Sequence, residues 1–139
     1  MGWTRVAPRW PVETLRWAQK EIVEATVSIC DRLRDNIKPG VRVMEIALLG
    51  DELVAASGYG ENRVHESWPY YGHGLGCMWE PPLIDKRCCD ELETFEAGMV
   101  LGVECFLGTD GLGIVGYEDT FTVTDTGTEI ITPSPALWW

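Results

Sequence analysis

The chain opens in helical period. Between Val12 and Ile37, apolar residues fall at Leu15, Ala18, Ile22, Ala25, Ile29, Leu33 and Ile37, in steps of three and four. That spacing lays one continuous apolar stripe along an α-helix. Pro11 stands at its mouth, where a missing N–H costs little, and Lys38-Pro39-Gly40 stops it. A second helix is predicted from about Val43 to Ala56, with Gly58 as its C-terminal cap. The rest reads as β-structure. Tyr70 to Met78 is extended and interrupted by glycines, and Met99 to Phe106 is a mostly apolar run opened by Gly98. Gly113 to Asp119 and Phe121 to Thr124 follow, then the tight turn Asp125-Thr126-Gly127 and a return from Glu129 to Thr132. Asp85 to Glu96 is a charged connection with room for a helical turn. The apolar tail Ala136-Leu137-Trp138-Trp139 is expected to pack on this chain or a partner, because it would otherwise be an exposed patch. Two helices followed by several short strands predict an α+β fold. The helical hairpin covers one face of a curved, mostly antiparallel sheet and leaves the other face for a site or a second half.

Composition narrows the partners. The 139 residues are one domain by length, 1–139, and the 45% hydrophobic and 24% charged content is that of an ordinary globular chain. The net charge of −11 argues against nucleic acid and against an anionic membrane surface, which need clustered Lys and Arg. No stretch reaches the length of a membrane span, and Met1 to Pro8 has no apolar signal region. Five cysteines at irregular spacing, Cys30, Cys77, Cys88, Cys89 and Cys105, fit a reducing, cytoplasmic setting better than a disulfide framework. The adjacent pair Cys88-Cys89 has no second pair to complete a metal site.

Three polar residues stand where a plain β core would not place them. His73 lies in Gly72-His73-Gly74-Leu75-Gly76, an imidazole flanked by residues without side chains. Glu104 lies in the apolar run Val100-Leu101-Gly102-Val103-Glu104-Cys105-Phe106, where a lone carboxylate is expensive unless paired or bound to a cation. Glu118 lies in Gly116-Tyr117-Glu118-Asp119-Thr120, again on a predicted strand. One His and two Glu converging on a sheet face suit a divalent cation of the Mn, Fe, Co or Zn type. Taken alone, each also has a structural reading: a packed histidine, or a strand glutamate facing solvent at the pleat.

The order of motifs points further. Gly72-His73-Gly74-Leu75-Gly76 followed by Glu80-Pro81-Pro82, Gly98-Met99-Val100 leading to Glu104, and Glu118-Asp119-Thr120 with Val123-Thr124 and Gly127 occur in that sequence. Lys38-Pro39-Gly40-Val41 before an amphipathic helix precedes them. Together they resemble the C-terminal, catalytic half of the pita-bread metallohydrolases, the superfamily of methionine aminopeptidase, prolidase and creatinase. The resemblance runs from about Thr4 to Pro133. It implies a metal-dependent hydrolase of peptides or small amides. His73, Glu104 and Glu118 would be metal ligands, Glu118 the bridging one, with a carboxylate ligand also helping to move the proton.

Three departures qualify what the resemblance implies. Trp3-Thr4-Arg5 resembles the stretch just after the second of two Asp ligands, which places Gly2 at that ligand position and the first Asp before Met1. The ligand set of this chain is therefore partial. The superfamily's peptidases carry a further His seven residues after the ligand His. That position is Glu80, or Trp79 with a one-residue gap, and His65 is the other histidine available. The Glu-Pro-Gly expected after the strand is Glu104-Cys105-Phe106. The last two departures resemble a branch containing dimethylsulfoniopropionate lyases. There Glu80 is a catalytic candidate beside Glu118, and Trp68 and Trp79 would line a pocket for a cationic sulfonium. A non-catalytic binding or scaffold domain is the third reading. A homodimer, or an N-terminal half carrying the two Asp, would cover the open face of the sheet.

Overall fold

The computed structural model describes residues 12–59, 68–109 and 111–133. Helix α1 spans Val12–Asn36 and helix α2 spans Val43–Ser57. Five strands follow: β1 Gly72–Leu75, β2 Trp79–Leu83, β3 Val100–Thr109, β4 Gly113–Val123 and β5 Thr128–Ile130. They form one sheet in the order β2-β1-β3-β4-β5, antiparallel throughout.

The helices form where the periodicity places them. Ile22, Ile29 and Leu33 of α1, with Ile37 just beyond, are buried against β3 and β4. Each buried Ile or Leu is worth about 1.5–3 kcal/mol of transfer free energy. Thr26 interrupts the stripe but is fully buried. Its hydroxyl donates to the Ile22 carbonyl at 2.7 Å, so no donor is stranded. α2 ends at Gly58, which takes the left-handed conformation (φ 79°) of a helix C-cap.

Strand alternation divides the sheet. Leu101, Val103, Cys105 and Leu107 of β3 are buried, as are Phe121 and Val123 of β4, and they build the core with both helices. Gly102, Glu104 and Phe106 lie on the opposite face. One ion pair crosses the covered side: Arg34 Nη1 of α1 donates to Asp119 Oδ2 of β4 at 2.9 Å, and the Tyr117 hydroxyl donates to Asp119 Oδ1 at 3.0 Å.

Two boundaries differ from the expectation. The extended run expected from Tyr70 to Met78 is a hairpin: Gly76–Met78 turns, and Trp79–Leu83 returns as β2. Pro81 and Pro82 weaken any strand reading, but β2 is the edge strand, where missing N–H donors are tolerated. β4 is one strand rather than two, because Thr120 keeps its place in the ladder opposite Gly102. The charged connection from Asp85 to Glu96 contains turns and is tied to the start of α2 by a bridge between Arg42 and Thr94. Asp85 is buried there, and the Arg87 guanidinium grips it with bonds of 2.8–3.2 Å. Pro11, the segment around Gly2, His65 and the tryptophan tail lie outside the described residues, as does the Leu15 side chain.

Candidate metal centre

The sheet register gathers the three residues singled out in the sequence. His73 of β1 stands opposite Gly102 of β3, and Glu104 of β3 stands opposite Glu118 of β4. All three therefore point to the uncovered face. His73 Nε2 lies 3.8 Å from Glu104 Oε1 and 4.0 Å from Glu118 Oε1. His73 and Glu104 are buried, with side chains 3% and 5% exposed, whereas Glu118 is 46% exposed. Glycine at 102 is a condition of this arrangement. A Cβ there would sit 2.4 Å from Glu118 Oε1, so any larger residue would push that carboxylate away from the imidazole.

The hydrogen bonds show what the cluster lacks. His73 Nδ1 is 3.0 Å from the Gly74 carbonyl, which can only accept. Nδ1 therefore carries a hydrogen, which leaves Nε2, facing the two carboxylates, as the nitrogen whose lone pair a cation or a proton would take. Glu104 Oε1 is buried without a hydrogen-bond partner. Burial pushes the Glu104 carboxyl above the usual carboxylate range, and nearby Glu118 adds to the rise, while the Trp68 indole and His73 oppose it. An imidazole nitrogen and two carboxylates that face one another with no hydrogen bond between them call for a cation or a proton.

The donor set fits a divalent ion in kind and in scale. Nitrogen and oxygen ligands about 2.0–2.2 Å from a zinc-like ion at tetrahedral angles stand about 3.4 Å apart, slightly less than the separations seen here. The cluster is nonetheless open. Among the described residues, no three His, Cys, Asp or Glu side chains are gathered closely enough to hold an ion as they stand.

Known proteins resolve the ancestry. The model of metallopeptidase family M24 matches residues 3–125. The chain belongs to this family. The Xaa-Pro dipeptidase of Pyrococcus furiosus is 31% identical over 115 residues, which are 82% of this chain and 31% of that protein. An uncharacterized peptidase of Bacillus subtilis is 37% identical over 101 residues, 72% of this chain and 27% of its own length. Among solved structures, the prolidase from Pyrococcus furiosus superposes with a TM-score of 0.72 at 26% identity, over 93% of this chain and 34% of that one. The Xaa-Pro dipeptidase from Bacillus anthracis gives 0.70 at 32% identity, over 85% and 32%. The chain thus spans about a third of the length of these relatives. The fold is the one expected from the pita-bread resemblance: two helices on a curved antiparallel sheet.

Within this M24 chain the structure sets one of the candidate residues apart. Glu80 does not join the cluster. β2 places Trp79 opposite Leu75 and Glu80 opposite Gly74, after a register shift between His73 and Gly74. Trp79 therefore shares the face of His73, and Glu80 emerges on the other. The Glu80 carboxylate instead accepts the Cys77 N–H at 3.1 Å and fills the space where a Cβ on Gly76 would sit. Its work here is to hold the β1–β2 turn. Trp79 covers the imidazole, with ring centroids 4.5 Å apart and planes tilted by 33°. Trp68 packs on Trp79 at 5.1 Å, Tyr70 at 5.5 Å and Phe106 at 6.5 Å, making an aromatic wall along the acidic cluster. Trp68 and Trp79 were candidates from the sequence, but Phe106 was not. Its signal was available, since Phe106 lies two residues from Glu104 and so on the same face of the strand. Cys88 Sγ donates to Asp85 Oδ2 at 3.8 Å, but among the described residues no third His, Cys, Asp or Glu joins them to hold an ion, and all five cysteines are free thiols. Among the described residues no helix is long and apolar enough to cross a membrane.

Proposed function

We propose that this chain carries the His73–Glu104–Glu118 part of a divalent-metal site in a hydrolase of peptides or small amides, Xaa-Pro dipeptides among them. The observation that carries the reading is the meeting of three acceptors around a buried, unpartnered Glu104 oxygen. His73, Glu104 and Glu118 would hold an ion of the Mn, Fe, Co or Zn type. Bound there, such an ion supplies an activated water and a polarised carbonyl. The residues of this chain do the rest. The Gly74 carbonyl fixes the His73 tautomer, and burial keeps water from competing for Glu104. Glu118, the more exposed carboxylate, would serve as a ligand and take up a proton. The remaining donors are assigned to a second half of the fold, carried on the same polypeptide or supplied by a second copy of this chain.

Metal content measured by mass spectrometry after loading with excess Mn or Co tests the reading. Wild type should retain metal and Glu104→Ala should lose it; a wild-type chain that retains none sinks the proposal. A second reading, metal-dependent elimination, is favoured by one observation. Trp79 lies on His73 where the hydrolase resemblance expects another imidazole. Turnover of a Pro-containing dipeptide against turnover of dimethylsulfoniopropionate separates the two chemistries. A metal-loaded chain that turns over neither is a binding or scaffold domain. Light scattering at micromolar concentration decides between a second copy, which appears as a dimer, and completion by other polypeptide.

A further inference from the structure

Two buried side-chain polar atoms lack a hydrogen-bond partner among the described residues: Glu104 Oε1 and Trp68 Nε1. One is an acceptor and the other a donor. Burying either without a partner is costly, and the cost disappears if they meet. The aromatic wall brings them near each other. Trp68 packs on Trp79, which lies on His73, itself 3.8 Å from Glu104. On its other side Trp68 packs on Phe106, which shares a strand face with Glu104. The indole therefore packs both on the cover of His73 and on a same-face neighbour of Glu104. The indole also opposes the rise that burial imposes on the Glu104 carboxyl.

We propose that Trp68 is a positioning residue for Glu104, its indole N–H holding the carboxylate so that a second lone pair is turned toward the cation. The role rests on the metal reading above. A carboxylate has about four acceptor sites, so one N–H and one cation do not compete for the same lone pair. Groups that orient a metal ligand from behind typically change affinity by about 10–100-fold when removed. Trp68→Phe is the informative variant, since it keeps an aromatic ring in the wall and deletes only the donor and the second ring.

The test has a metal-free part and a metal-bound part. In ¹⁵N-labelled protein with chelator present, the Trp68 indole signal is assigned through its own backbone. It is expected to lie downfield and to move upfield in Glu104→Gln, where the acceptor loses its charge. Mn²⁺ titration by calorimetry is then expected to show about tenfold weaker binding in Trp68→Phe. Trp17→Phe, on the exposed face of α1 outside the aromatic wall, should bind like wild type. An indole signal unmoved by Glu104→Gln overturns the proposal, as does a folded Trp68→Phe chain with wild-type affinity. If Trp68→Phe does not fold, the response to Glu104→Gln decides by itself. A wild-type chain that binds no Mn²⁺ overturns the metal reading and the positioning role with it, while the shifted indole signal would still establish the Trp68–Glu104 pair.

Discussion

Glu118 and Asp119 are adjacent in sequence and opposite in surroundings. Asp119 points to the helices, where both its oxygens are satisfied by Arg34 and Tyr117. Glu118 points to the open face, toward the lone pair of His73 and directly across from Glu104. The two buried carboxylates outside that pair of neighbours repeat the contrast. Asp85 is gripped by Arg87, and although burial alone would raise its pKa, the guanidinium more than offsets this and holds it below the usual range. Glu104 has no such cation, and burial carries it the other way. A domain stabilised by its polar groups pairs them, as the covered face and the Asp85 loop do. The open face leaves acceptors unpaired, which a folded chain tolerates where something else is to bind.

The contrast breaks most visibly on the covered face. Arg34→Leu strands Asp119 in the core beside α1, with only Tyr117 left to it. It should cost about 3 kcal/mol in urea unfolding. A loss below about 1 kcal/mol would mean that the pair is solvent-screened and that the two faces are less different than their geometry implies. On the open face the sign should reverse. Glu104→Gln removes a buried charge that has no cation opposite it, so with chelator present the variant should be more stable than wild type by about 1 kcal/mol in the same assay near neutral pH. A destabilised variant would show that the Trp68 N–H alone outweighs the cost of burying the Glu104 charge, and that the open face is not short of a cation. The smallest effect is the pH dependence from Asp85. Its folded-state pKa is lowered, so its contribution is fully present above the ordinary carboxylate range. That contribution is lost as pH falls from this range through the lowered value. Unfolding midpoints of wild type and Asp85→Asn should therefore converge on acidification and separate again toward neutral pH; curves that stay parallel remove Asp85 from the set of paired carboxylates.

Much of this was readable before any coordinates. The three-and-four spacing from Ile22 to Ile37 is enough to place α1 and its buried stripe, because helix geometry depends only on local period. An apolar run with one carboxylate inside it marks Glu104 as a residue needing a partner, whatever the fold. Glycine at 102 and histidine at 73 are legible as unusual, though the sequence does not show that one makes room for the carboxylate facing the other. That Glu80 stands apart from His73 is hidden for a reason of the same kind. Which face a β2 residue takes follows from its partner on β1, and the pairing sets Glu80 opposite Gly74 and Trp79 opposite Leu75.

What the sequence determined by itself is the set of elements, the ordered motifs and the chemistry of the three candidate ligands. These depend on residue type and local spacing. What only the tertiary structure decided is direction: Trp79 rather than Glu80 beside His73, Trp68 along the cluster, Asp119 sealed by a helix and Glu118 left open. Each of these is set by strand register and packing between segments far apart in the chain. A side chain's face on a sheet is a property of the pairing, not of the residue.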